Sequence, residues 1–265
     1  MHPFVNIAVS AAKEAGQIIQ FHAQQLDRIK VSEKSSNDFV SNVDVKAEQV
    51  IIETIRKVYP DHGIIAEESG ISQSNNDEYT WIIDPLDGTT NFIHGFPFYG
   101  VSIAVKHKNK IEHGVVYDPI RQELFSASRG QGAMLNNKRI RVNSAAQQPF
   151  SKTLIGTGFP FRNAEIAQQY FETFSAIFNQ CAGVRRAGAA ALDLAYVAAG
   201  RLDGFWEFGL KPWDLAAGVL LIKEAGGLVC DSHGMESYLQ SGNIVAGTPK
   251  TVKSLLQLIK PLVSK

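Results

Sequence analysis

The sequence predicts a mixed fold of class α/β (α+β), from three observations. Apolar residues recur at three- and four-residue steps in some stretches and in short strand-like runs in others, and the two patterns alternate along all 265 residues. Turn signals crowd the middle of the chain, which makes that region rich in hairpins. In the second half, short strands interleave with helices, the pattern of helices that cover sheet faces.

Residues 4 to 25 read as a helix. So do residues 42 to 58, where Val43, Ala47, Val50, Ile51, Ile55 and Val58 recur on one face and Pro60 closes the run. Strands follow near 63 to 66, 81 to 84, 99 to 106, 111 to 117 and 123 to 127, with turns at Asp118-Pro119 and Asn136-Asn137. The polar stretch Asn143 to Lys152 has the weakest pattern. It is the expected connection between two halves, about 1–145 and 150–265, of a single domain spanning 1–265. Beyond it, strands near 153 to 157, 183 to 186 and 203 to 207 alternate with helices near 163 to 179, 190 to 199, 214 to 225 and 249 to 260.

Composition excludes several classes. With 45% hydrophobic and 20% charged residues, the chain reads as soluble and globular. Its 26 basic and 26 acidic residues cancel, so overall charge does not indicate direct nucleic-acid or membrane binding. Cys181 and Cys230 show no C-x-x-C and no histidine pair at zinc spacing, and are expected as core thiols. Residues 1 to 7 lack the features of an export signal, and no apolar run approaches the ~20 residues of a membrane span. A reducing, cytoplasmic setting is therefore expected. Neither G-x-x-x-x-G-K nor G-x-G-x-x-G occurs, which argues against a P-loop and a Rossmann site.

The chemistry concentrates where an apolar run stops. Trp81 to Ile83 reads as a buried strand, and Pro85 bars a helix, so a turn is expected there. Such a turn can aim Asp84, the Leu86 carbonyl and Asp87 at one point, the oxygen-only ligation that a hard divalent cation requires. Gly88, Thr89 and Thr90 follow, with amides and hydroxyls suited to a phosphate. Taken alone, a D-G-T-T run is more often an ordinary turn.

The run Asp84 to Phe92 resembles the D-P-[ILV]-D-G-T-x-N-[FY] signature of the inositol monophosphatase family, a branch of the lithium-sensitive, magnesium-dependent phosphatases. Gly63 to Gly70 resembles the family's G-x-x-x-x-E-E strand end. Asn37 to Asp44 resembles its D-x-V-T-x-x-D, with Ser41 where threonine is usual. Trp213 to Gly227 resembles its second signature, W-D-x-A-[AG]-x-x-[LIV]-[LIV]-x-[EQ]-[AS]-G-G, with Asp214 placed like an N-cap and Gly226 like a helix stop. Singly, Glu67 could be a solvated strand end, Asp44 a helix-terminal charge, Asp214 a cap and Glu207 an acid ending an aromatic strand. The resemblance gives them a common explanation.

What the resemblance implies is specific. The fold would be a layered α/β/α/β/α sandwich of the inositol monophosphatase and fructose-1,6-bisphosphatase type, with the site between two sheets. One Mg2+ would be held by Glu67, Asp84 and the Leu86 carbonyl and a second by Asp84, Asp87 and Asp214, with a third, weaker ion near Glu67. Glu67, Thr89 and Asp44 would position and deprotonate the attacking water. Glu207 would accept an inositol hydroxyl, while Asp87, Gly188 and Ala190 add contacts, with Arg185 close by. Asp214 and residues 88 to 90 would also touch the substrate. Lys211 stands where several animal members carry histidine, which unsettles the leaving-group contacts. The implied activity is hydrolysis of myo-inositol 1-phosphate; a nucleotide bisphosphate, a sugar bisphosphate or histidinol phosphate is the alternative substrate. Family members form homodimers, and Asn91 to Tyr99 is a segment for that contact or for burial within one subunit. Met1-His2-Pro3, Gly63 to Gly70, Tyr117-Asp118-Pro119 and Ala191 to Arg201 resemble a bacterial branch whose members also join RNA polymerase through Nus factors during ribosomal RNA transcription.

Overall fold

Helix α1 (Pro3–Ala23) starts where the His2 ring accepts the Phe4 amide and Pro3 supplies a pre-set φ. A computed structural model describes residues 2–35, 38–72, 78–143, 148–161 and 164–263 of the chain. After a single 3-10 turn (Leu26–Arg28), β1 (Val31–Ser35) and β2 (Asp38–Ser41) pair as an antiparallel hairpin. Helix α2 (Asn42–Arg56) is started by Ser41, whose hydroxyl accepts the Val43 amide at 3.1 Å while Asp44 accepts the Ser41 amide at 2.9 Å. Asn37, within the first acidic motif, lies outside the described residues, as does Asn163 at the expected start of the next long helix.

The first sheet is built from β3 (Gly63–Ala66), β4 (Gly70–Ser72), β5 (Tyr79–Asp87), β6 (Gly100–His107), β7 (Lys110–Asp118), β8 (Glu123–Ser128), β9 (Gly132–Leu135) and β10 (Lys138–Ile140). Its order is β10-β9-β8-β7-β6-β5-β3-β4, antiparallel except where β3 meets β5. Asn136 and Asn137 both take positive φ, 47° and 65°, and so make the tight turn between β9 and β10. A short helix, α3 (Thr89–Ile93), leaves the end of β5.

The second sheet holds β11 (Leu154–Thr157), β12 (Gly183–Arg185), β13 (Gly204–Glu207), β14 (Leu228–Cys230) and β15 (Ile244–Gly247) in the order β12-β11-β13-β15-β14. Interleaved with them are α4 (Ala164–Phe178), α5 (Ala190–Ala198), α6 (Pro212–Glu224), α7 (Tyr238–Ser241) and α8 (Pro249–Val263). Of the connection expected over Asn143 to Lys152, residues 144–147 lie outside the described residues.

Three cores hold five layers together, the central one enclosing the middle helices. Side chains on alternate β-strand positions face opposite ways. Trp81, Ile83, Ile103, Val105 and Val115 of the large sheet therefore meet Val5, Ala8, Ala12, Ile19, Val43, Ala47 and Ile51 of α1 and α2. Ile82, Ala104, Val116 and Phe125, on the other face, meet Leu192, Leu194, Leu215 and Leu220 of α5 and α6, which also touch Phe205 and Ile244 of the small sheet. On the far face of that sheet, Trp206 and Val245 pack on Tyr170, Ile177, Leu255 and Ile259 of α4 and α8. The molecule is an α/β/α/β/α sandwich.

Several local expectations need correction. The chain does not turn at Pro85, because β5 stays extended to Asp87. Asp214 is not the cap of α6; Pro212 opens that helix, and Asp214 lies one turn in, accepting the Lys211 amide at 2.7 Å. Helix α8 continues through Pro261 to Val263 rather than stopping at residue 260. Residues 91 to 99 split: Phe92, Phe98 and Tyr99 are buried, whereas Phe96 is 54% exposed. Cys181 and Cys230 are only half-buried, at the edge of the outer core.

Candidate active site

A bulge in β5 builds the centre of the site. Asp84 pairs with Ser102 of β6 and Asp87 with Gly100, so three steps on one strand span two on the other. In a regular strand residues 84 and 87 would face opposite ways. The extra residue resets the alternation, so Ile82, Asp84 and Asp87 look toward the second sheet while Leu86 enters the core under α1 and α2. Gly88 then takes φ +92°, and a Cβ there would stand 3.0 Å from the Phe98 carbonyl and 3.2 Å from Ala189, so glycine alone fits comfortably before α3.

The strand ends converge on a cavity of about 170 Å3. It is lined by Glu67, Asp84, Leu86, Asp87, Gly88, Thr89 and Thr90 from the first sheet and by Gly188, Ala190, Glu207 and Asp214 from the second half. Asp44 lies behind this wall, fully buried, where it accepts the Thr89 hydroxyl at 2.7 Å. The same hydroxyl lies 3.0 Å from the Leu86 carbonyl. Asp87 is steadied from across the crevice: its Oδ2 accepts the Ala191 amide at 2.6 Å, at the positive end of α5. Asp84 Oδ1 accepts the Leu86 amide at 3.0 Å.

Carboxylates crowd one another in this space. Burial first, and then the negative charges of Glu67, Asp87 and Asp214, push Asp84 well above the ordinary carboxylate range. Burial and the Asp214 charge do the same to Asp87, opposed by the Ala191 amide. Burial raises Asp44, against the bonds from Ser41 and Thr89. Asp84 and Glu67 stand in hydrogen-bond contact, which two carboxyl groups tolerate only with a shared proton or a cation between them. Among the described residues, no set of three or more His, Cys, Asp and Glu side chains forms a ready-made metal cage. With the Leu86 carbonyl, however, the gathered donors are all oxygens, the type that a hard divalent ion takes.

Arg185 does not line the cavity; its guanidinium turns back to the Val184 carbonyl at 3.0 Å. Arg186 does, since adjacent residues at a strand end point to opposite sides, and its guanidinium lies over Phe159 and Phe161 at 5.5 and 5.1 Å. Lys211 is exposed outside it. Two acids escaped the sequence reading. Asp193 of α5 is 2% exposed on the cavity wall, and burial followed by the charges of Glu207 and Asp87 raises it strongly. Glu48 of α2 is 3% exposed behind Glu67. Each was marked by an acid on an otherwise apolar helix face.

Fold and crevice together define a two-sheet α/β protein whose carboxylates gather beside a glycine-threonine strand end. The sequence profile of the inositol monophosphatase family matches residues 1–263, and the chain belongs to that family. It is similar to the Nus factor SuhB of Escherichia coli K12, 55% identical over 256 residues, covering 97% of this chain and 95% of that one. The Nus factor SuhB of Pseudomonas aeruginosa is 53% identical over 265 residues, covering 98% and 97%. Among solved structures, the extragenic suppressor protein SuhB of Bartonella henselae superposes with a TM-score of 0.94 at 41% identity, covering 98% of this chain and 99% of that one. The inositol monophosphatase of Anabaena gives 0.87 at 38% identity, covering 97% and 95%. No helix among the described residues is long and apolar enough to cross a membrane.

Proposed function

We propose that the chain is a magnesium-dependent phosphomonoesterase that hydrolyses a small ester, foremost myo-inositol 1-phosphate, to alcohol and phosphate. The observation that carries this reading is the convergence of Glu67, Asp84, the Leu86 carbonyl, Asp87 and Asp214 on one cavity with Gly88, Thr89 and Thr90. Glu67, Asp84 and the Leu86 carbonyl would hold one ion, and Asp84, Asp87 and Asp214 a second, with a weaker third near Glu67. Bound there, magnesium would neutralise the phosphoryl group, acidify a water and stabilise the leaving alkoxide.

The residues' own tasks follow from their chemistry. Residues 88 to 90 present amides and hydroxyls to the phosphate oxygens. The Thr89 hydroxyl, bonded to Asp44, holds the attacking water with Glu67, and Asp44 is the proton's destination through Thr89. Glu207 accepts a hydroxyl of the alcohol, favouring a polyol. Cys181 and Cys230 lie outside the cavity, and burial pushes both thiols up, Cys230 to about 11, so neither is the nucleophile, in keeping with direct transfer to water. Helices α5 and α6 of the second half fill the space over the first half's sheet, which supports 1–265 working as one unit. The test is phosphate release from myo-inositol 1-phosphate, adenosine 3′,5′-bisphosphate, fructose 1,6-bisphosphate and histidinol phosphate, with magnesium, with chelator and with added lithium. Negligible magnesium-dependent turnover of the first ester removes the leading substrate.

A second reading is favoured by the relatives named Nus factor, 50 to 55% identical along nearly the whole chain. In it, the protein associates in the cytoplasm with Nus factors and RNA polymerase during ribosomal RNA transcription. Asp87→Asn separates the two: hydrolysis is lost, while the association, which uses outer surfaces, survives. Loss of both in a folded variant rules out separate sites.

A further inference from the structure

We propose that Glu48 is a positioning residue that aims Glu67 into the cavity by clamping the two amides that follow it; this rests on the metal-phosphatase reading above. Glu48 lies on the buried face of α2, 3% exposed. A carboxylate at such a place is costly unless both oxygens are bonded. Both are: Oε2 accepts the Glu68 amide at 2.8 Å and Oε1 the Ser69 amide at 2.8 Å. On the other side of Glu67, its own amide reaches the Ile83 carbonyl of β5 at 3.2 Å. The backbone of Glu67 is thus fixed from both directions, by the sheet before it and by Glu48 after it.

The helix that carries this clamp carries a second one. Asp44 lies four residues before Glu48, on the same face, and accepts the Thr89 hydroxyl at 2.7 Å. Two buried acids one turn apart therefore tie a single helix to both segments that supply the cavity's first wall, residues 67–69 and residues 84–90. Glu67 and Asp84 face the same cavity only while those two segments keep their spacing. Loosening Glu48 lets Glu67 drift from Asp84, which weakens any ion shared between them without touching the surfaces that bind the alcohol.

Glu224 makes the same kind of clamp elsewhere, accepting the Gly130 amide at 2.8 Å and the Gly132 amide at 2.7 Å, away from the cavity. It is the control for a purely structural role. The experiment compares full-length wild type, Glu48→Gln, Glu48→Asp and Glu224→Gln. Mg2+ affinity is measured by calorimetry, and the Mg2+ activation constant, KM and kcat with myo-inositol 1-phosphate, alongside thermal unfolding. Glu48→Gln sets an amide NH2 against a backbone N–H. It is expected to weaken Mg2+ binding and raise the activation constant about 10- to 100-fold, as outer-shell changes do. KM for the ester at saturating Mg2+ stays within about 2-fold, and Glu48→Asp, which keeps the charge, recovers part of the loss. Glu224→Gln lowers thermal stability but leaves Mg2+ affinity unchanged. Should Glu48→Gln not fold, Glu48→Asp must itself lose Mg2+ affinity relative to Glu224→Gln. Unchanged Mg2+ affinity in the Glu48 variants, or a loss equal to that of Glu224→Gln, overturns the positioning role and leaves the phosphatase reading intact. If wild type itself binds no Mg2+, both fall.

Discussion

The Thr89 hydroxyl lies 2.7 Å from Asp44 Oδ1 across a partly buried contact that joins α3 to α2. Asp44 also takes the Ser41 amide at 2.9 Å and the Ser41 hydroxyl at 2.5 Å on its other oxygen, so every bond it makes requires it to accept. Asp44→Asn replaces one acceptor by a donor. The expected result is a fall in kcat of about 10²- to 10⁴-fold with little change in KM, the size of a lost proton-transfer path. Steady-state kinetics with myo-inositol 1-phosphate check it; a variant with unaltered kcat removes Asp44 from the mechanism.

The crowding of Asp84 and Asp87 makes magnesium's effect on stability depend on pH. Both acids are raised in the fold, so their protonated forms favour folding: that contribution is present below the ordinary value of about 4 and is lost as pH rises through the raised values. A divalent ion reverses the repulsion. Magnesium at about 100 times its Kd adds ~2.7 kcal/mol, or about 5 °C in Tm for a chain of this size. Calorimetry with and without magnesium from pH 5 to 8 is expected to show a gain that grows with pH. A gain independent of pH contradicts an acid-built site.

His113 supplies an acid-sensitive element at the other end of the large sheet. It is 8% exposed, stacked on His2 with ring centroids 4.1 Å apart, and bonded to Ser128 Oγ at 2.9 Å. Burial, aided by the His2 charge, lowers it to about 4, whereas an unfolded histidine titrates near 6.5. The neutral ring therefore stabilises the fold fully above about 6.5, and that stability drains as pH falls toward 4. The ring borders a second cavity, so ~3 kcal/mol is an upper bound. Urea midpoints between pH 4 and 7 should fall less steeply in His113→Asn than in wild type.

The long elements were legible because burial imposes periodicity. Val43, Ala47, Ile51 and Ile55 spell out α2, and the Trp81 to Ile83 run marks β5. The polar hairpin of β1 and β2 and the short β14 and β15 carry no such signature, and five-residue α3 is shorter than the pattern that would reveal it. The acids Glu67, Asp84, Asp87 and Asp214 were nameable, since the family signatures contain them. The device that turns Asp84 and Asp87 the same way was not, because a bulge depends on how β6 pairs opposite it. Glu48 and Asp193 were passed over for a related reason: an acid on a helix is ordinarily solvated, and what buries these two comes from strands distant in sequence.

Gly158 bears on how the alcohol is read. It stands so close to the Glu207 carboxylate that a Cβ at 158 would overlap it, and both residues line the cavity. Tyr170 and the Trp206 carbonyl, both bonded to Thr157, fix the strand behind them at 2.8 and 2.9 Å, so Gly158 has little room to retreat. Gly158→Ala must therefore swing Glu207 aside. If Glu207 accepts a hydroxyl of the polyol, KM for myo-inositol 1-phosphate should rise about 10-fold, the value of roughly one charged hydrogen bond. KM for 4-nitrophenyl phosphate, which has no such hydroxyl, should barely move, and Glu207→Ala should reproduce the split between the two esters. Equal losses on both substrates in Glu207→Ala would place Glu207 in the support of the cavity wall rather than in contact with the alcohol.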